Sequence, residues 1–162
     1  MKTMLRLFMI ACLVLPFAAC KKQDAPSAAV SAPVPVPVND NRDAWHAYLV
    51  DVVTRNMEGV QNQPYVYMLP GESTADFQDQ YDRLRDKAKS DVGNGIIGGN
   101  MLAYGSPASA KMADLVINAF QGVPPGSMKG VKVLFIGKAA DNERVKAAVA
   151  PAGVDYVFVE AK

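Results

Sequence analysis

"VKVLFIG", residues 131–137, decides how the rest of the chain is read. The run is β-branched and aromatic, and its "VLFI" centre has no polar alternation, so it predicts a strand that must be covered on both faces. The flanking sequence supplies the cover. Upstream, Ser106 and Pro107 stand ahead of Met112, Leu115, Val116, Ala119 and Phe120. That is a helix with a serine cap and a proline in its first turn, ending near Gly122. Downstream, Asp141 or Asn142 caps a short helix carrying Val145, Ala148 and Val149, which Pro151 and Gly153 stop before a further strand, "DYVFVE", at 155–160.

The same alternation continues towards the amino end. "MLAY" at 101–104 reads as a strand, and before it "STADFQDQYDRLRDKAKS" offers Ser73 as a cap with Asp76 three residues on. Phe77, Tyr81, Leu84 and Ala88 then form one apolar stripe. "PYVYMLP" at 64–70 is a short strand bounded by prolines. Ahead of it, Trp45, Tyr48, Leu49, Val52 and Val53 recur at helical spacing, with Asp43 as the expected cap and Gly59 as the terminator. After this one additional N-terminal helix the order is β-α-β-α-β-α-β. The expectation is therefore a single α/β domain over residues 42–162: a small, mostly parallel four-stranded sheet flanked by helices and joined by right-handed crossovers.

"GNGIIGGN", residues 93–100, contains a Gly-x-Gly-x-x-Gly spacing at Gly93, Gly95 and Gly98. A pyrophosphate cradle needs such glycines after a strand and before a helix. Here they follow a helix and precede a strand, so they are expected to form a loop at the amino edge of the sheet, with Gly93 supplying the left-handed residue at the helix end. No cofactor is expected.

Ligands of parallel sheets bind outside the carboxyl ends of the strands. That edge should gather Glu72, Ser73, Ser106, Lys138, Asp141 and Glu160. Several helix amino termini with Lys138 could hold an anion, although Ser73, Ser106 and Asp141 are also accounted for as caps. A crevice there is expected only where the strand order reverses. Catalytic groupings are scarce: His46 is the single histidine and has no partner that spacing identifies, no serine sits in a G-x-S-x-G turn, and Ser127 and Lys129 lack the Ser-x-x-Lys spacing. One histidine and no usable cysteine give no metal-ligand cluster.

The amino end carries a separate message. Lys2 and Arg6 precede an apolar run from Leu7 to Leu15 and then "PFAAC", which is the layout of a secretory signal over residues 1–19. The apolar run, at about 1.5 Å per residue, is roughly half of what a ~30 Å hydrocarbon core requires. Ala18, Ala19 and Cys20 resemble the processing box of bacterial lipoproteins, with Phe17 where that family usually has Leu. "MIAC" at 9–12 is a second such box, but cleavage there would leave Leu13 to Phe17 exposed, which favours Cys20. The resemblance implies acyl chains on Cys20, anchorage to a lipid bilayer, and, because Lys21 rather than Asp follows, the periplasmic face of the outer membrane. With Cys12 removed and Cys20 acylated, no thiol is left for chemistry.

Residues 21–41, with "PVPVPV" at 33–38, are expected to form a tether in polyproline II conformation, reaching roughly 65 Å at about 3.1 Å per residue. Loss of Lys2 and Arg6 with the signal turns the formal charge of +1 into −1, and no segment carries a basic stripe, so nucleic acid is not an expected partner. Two functions are compatible with these features. One is a non-enzymatic, protein-binding lipoprotein of the periplasm, of the general build of immunity proteins or of accessories to secretion and envelope machinery, with Asp76, Asp79, Asp82 and Asp86 of the second helix as a contact surface. The other is a small periplasmic enzyme or anion-binding domain that uses Ser106 and Lys138 at the strand ends.

Overall fold

A computed structural model describes residues 32–162, which form one unit, Ala32–Lys162. The expected signal peptide and Cys20 lie outside the described residues. The elements are α1 (Arg42–Arg55), β1 (Tyr65–Met68), α2 (Phe77–Gly93), β2 (Met101–Gly105), α3 (Ser109–Ala119), β3 (Lys132–Gly137), α4 (Ala139–Val149), a single 3-10 turn (Ala150–Ala152) and β4 (Asp155–Glu160). All three strand pairings are parallel and the strand order is β1-β2-β3-β4. The domain is thus the α/β fold that alternation predicts, with its strands side by side in chain order.

Strand periodicity divides the side chains between two faces. Leu102, Tyr104, Val133 and Phe135 point to the face covered by α2, α3 and α4, where they join Phe77, Ala88, Met112, Val116, Val145 and Val149 in one core. Met101, Ala103, Leu134 and Ile136 point the other way, onto Trp45, Tyr48, Leu49, Val52 and Val53 of α1. The register lines up Tyr67, Tyr104, Phe135 and Phe158 in one row across all four strands. Tyr67 and Tyr104 stack at 4.6 Å, and Phe135 and Phe158 at 6.1 Å. Such cross-strand aromatic pairs add to burial and help fix a parallel register. At Gly105, the end of β2, α1 packs without room for a side chain: a Cβ there would run into the Leu49 side chain.

A single helix does not span four strands, and the rest of the α1 face is covered by an extended segment. Residues 32–38 have no helix or strand, yet Val34 and Val36 pack into the α1 core. The Val34 N–H donates to Asp51 Oδ2 at 3.2 Å, and Asn39 O accepts from Trp45 Nε1 at 2.9 Å. The last part of the Pro-rich stretch is therefore a strap belonging to the folded unit. Polyproline backbone suits this position because it leaves few N–H groups to satisfy while it crosses apolar surface.

Several caps differ from expectation. Asn41, not Asp43, caps α1, its Oδ1 accepting from Ala44 N at 2.9 Å, because the strap delivers the chain to that residue. α1 also ends before Gly59, at Arg55, with Asn56 donating to Val52 O. Ser73 does not cap α2: successive turns carry the chain from Gly71 to Phe77, and Ser73 Oγ lies 3.4 Å from Asp40 Oδ2. Gly95 (φ 87°), not Gly93, is the left-handed residue after α2. The glycine loop does lie at the amino edge, where Gly99 N donates to Gly130 O at 2.9 Å just before β2 begins.

Candidate functional site

The strand order contains no reversal, and a crevice is nevertheless present at the carboxyl edge. The strap creates it. Val36 to Asp40 and Trp45 form one wall, Ser106, Pro107, Ser109 and Gly137 form the floor at the ends of the two central strands, and Lys138 and Lys162 stand at the rim of a cavity of about 380 Å³. The expectation that only a reversal point opens such a crevice is corrected by this wall of extended chain.

The floor is fixed by a buried polar network. Ser106 Oγ donates to Leu69 O at 3.2 Å and accepts from Ala108 N at 2.9 Å, so it closes the turn before α3 and ties β2 to the end of β1 rather than capping the helix at Pro107. Asp141 is not a cap either. It lies in the first turn of α4, turned inward, where Oδ2 accepts from Ser109 Oγ at 2.6 Å and Oδ1 accepts from Arg144 Nε at 3.0 Å. Arg144 also reaches Ala110 O at 2.7 Å and pairs with Asp114 at 2.5 Å, stapling α4 to α3. Burial works against the Arg144 charge, and the bonds to Asp114 and Asp141 outweigh it, holding its pKa above the ordinary arginine value. Ser109 Oγ accepts from the Lys138 N–H at 2.8 Å while donating to Asp141, which commits its proton and a lone pair. A hydroxyl so held positions backbone; it is not poised as a nucleophile.

Of the residues expected at this edge, the structure brings Ser106 and Lys138 together in the crevice and leaves Glu72 and Ser73 exposed outside its lining. Asp40 lines the crevice, but its carboxylate lies against Gly71, where a Cβ would collide with it, and near Ser73. Glu160 pairs with Lys162 at 3.0 Å. No hydrogen bond or ion pair joins the Lys138 ammonium to a described residue. Sequence reasoning missed Ser109, the strap and Trp45 as parts of this site. The signal available was the pairing of alternating valines in "PVPVPV" with the apolar start of α1, but only contact across the sheet joins them.

The proposed acidic surface of α2 is not a bare one. Asp82 and Asp86 both bind Arg85, at 2.7 and 2.9 Å, and Asp76 accepts from Gln80 at 2.8 Å, while Asp79 is exposed. Arg83, Lys87 and Lys89 intersperse the carboxylates, so the face is mixed in sign. A different surface stands out at the β1 edge, where Tyr65 (38%) and Ile97 (76%) are exposed beside one another on the three-helix side and Val66 (48%) is exposed on the α1 side. β1 has a neighbour on one side only, so the N–H and C=O groups of alternate residues on its other side face outward. His46 is exposed on α1, away from the crevice lining, and no group of three or more His, Cys, Asp or Glu suited to a metal is found among the described residues. No helix among them is long and apolar enough to cross a membrane. No protein-family model, curated protein or solved structure matches the chain.

Proposed function

We propose that the protein is a non-enzymatic binding lipoprotein, anchored to the periplasmic face of the outer membrane through acylated Cys20, that captures a protein partner of the cell envelope. The observation that carries the binding reading is the edge position of β1, with Tyr65 and Ile97 exposed on one face of that edge and Val66 on the other. An extended apolar segment of the partner, laid alongside β1, would satisfy the outward backbone groups and cover these side chains, the mode of recognition called strand addition. The anchor rests on the lipobox-like Ala18-Ala19-Cys20 and on the signal that precedes it. Two acyl chains, at about 0.8 kcal/mol per buried methylene, hold a protein of this size to a bilayer without a spanning helix.

Photo-crosslinking in cells tests the partner surface. A crosslinker at Val66 is expected to trap one envelope protein, and a crosslinker at Asp79 on α2 is not; Val66 crosslinks at Asp79 yield, or none at all, would remove the reading. The anchor is tested separately. Labelled palmitate should enter the wild-type chain and fail to enter Cys20→Ser, which should also leave the membrane fraction.

A second reading, a ligand-binding domain using the strand-end crevice, is favoured by the cavity beside Lys138. It is compatible with the first, because the two surfaces share no residue.

A further inference from the structure

The crevice at the carboxyl edge has a definite chemical character. Its wall combines apolar Val36, Val38 and Trp45 with the polar Asn39 and Asp40, its floor is held by hydroxyls whose bonds are already made, and its volume of about 380 Å³ falls within the range of small-molecule sites. Charge at the rim is one-sided in its availability. The Asp40 carboxylate is turned onto Gly71 and Ser73, and Lys162 has Glu160. Lys138 alone among the charged lining residues has no described partner. Its backbone is fixed at the same time, since its N–H donates to the buried Ser109 Oγ that Asp141 and Arg144 hold in place. The crevice therefore presents an apolar patch of Val36, Val38 and Trp45 and one unpaired ammonium from a fixed floor.

We propose that this crevice binds a small organic carboxylate with an apolar body, the carboxylate paired with Lys138 Nζ and the body lying against Trp45 and the strap. The apolar contact supplies most of the affinity and the exposed ammonium supplies sign selectivity, because a partly exposed Lys–carboxylate pair is worth a factor of only about two to five. The same chemistry exists in a free acid and in the carboxyl terminus of a peptide. This site is separate from the β1 edge, so loss of partner capture in a Val66→Lys variant would leave it intact.

The chain carries its own probe. Trp45 is the single tryptophan and lines the crevice, so its emission reports occupancy directly. Purified full chain is titrated with 3-phenylpropionate, with 3-phenylpropylamine as the cationic comparator of like shape, and with the dipeptide acid Ala-Phe. The expected result is a saturable change in Trp45 emission, at a concentration about two- to fivefold lower for the acid than for the amine. That preference should vanish in Lys138→Ala and invert in Lys138→Glu; Lys138 is exposed, so neither change disturbs the core. Tighter binding of 3-phenylpropionate than of Ala-Phe assigns the ligand to free acids, and the reverse order assigns it to peptide termini. In NMR spectra of the same titration the amides of Ser109, Gly137 and Lys138 should shift. A non-saturating response, equal binding of acid and amine in the wild type, or shifts confined to other regions would each overturn the proposal.

Discussion

The two faces of the sheet are covered by different means. On one, three consecutive crossover helices bring Met112, Leu115, Val116, Val145 and Val149 over the row Tyr67–Tyr104–Phe135–Phe158, and the central side chains are lost to solvent entirely. On the other, α1 alone lies over Met101, Ala103, Leu134 and Ile136, and Val34 and Val36 of the strap complete the cover. Crossovers between parallel strands taken in chain order put every connecting helix on one side, so the opposite face depends on whatever precedes β1. That dependence explains why a proline-rich segment with no element of its own became part of the core. It also places a crevice wall built from extended chain next to the sheet's carboxyl edge.

The comparison can be broken most sharply at the three-helix face. Phe135→Ala removes a fully buried ring from the centre of the aromatic row and is expected to cost about 3–5 kcal/mol in chemical denaturation, leaving a marginal fold or none. On the opposite face Val36→Asp should act more gently and more locally. Only partial burial is lost, about 1 kcal/mol, but a charge set on apolar surface should lift the strap and free Trp45 Nε1 from Asn39 O. The expected outcome is a red shift of Trp45 emission with the helical circular dichroism of α2–α4 retained; a variant that lost both together would show that the faces do not behave separately.

The smallest effect sharpens the comparison from inside the better-covered face. Tyr104 Oη is buried with no hydrogen-bond partner among the described residues, whereas its stacked neighbour Tyr67 donates to Asp91 at 2.7 Å. Burial, and then the Asp91 carboxylate, push the Tyr104 phenol above its ordinary pKa, so it stays a neutral, unsatisfied hydroxyl. Tyr104→Phe keeps the ring stack and removes the orphan group; the unfolding free energy from chemical denaturation should stay level or rise by up to about 1 kcal/mol. A loss of more than that would mean that the hydroxyl has a partner in solution, such as a buried water.

How much of this was legible in the chain varies from element to element. The apolar stripe Trp45-Tyr48-Leu49-Val52-Val53 and the unbroken run "VLFI" mark buried helix and buried central strand through local periodicity alone, and both are buried as read. Ser106 and Asp141 have the sequence signature of caps without being caps, because a short polar residue at the start of a helical stripe looks the same whether its side chain turns to its own helix or to a neighbour. Ser106 is bonded to Leu69, 37 residues earlier, and Asp141 to Ser109, 32 residues earlier, and no pattern of spacing carries those distances. The strap looks like tether in sequence for the same reason, since prolines exclude helix without saying what the valines between them touch.

By itself, then, the sequence determined the class of fold and the order of its elements, because hydrophobic period and turn residues act within a few positions of each other. The residues on which the proposed anchor rests, Ala18-Ala19-Cys20, are likewise a pattern of neighbours in the chain. Strand order, the crevice and the pairing of every polar group at its floor were decided only when segments far apart in the chain met, because burial and hydrogen bonding are settled by neighbours in space. The ammonium of Lys138 and the ring of Trp45 lie 93 residues apart and face one cavity only because the sheet and the strap bring them there.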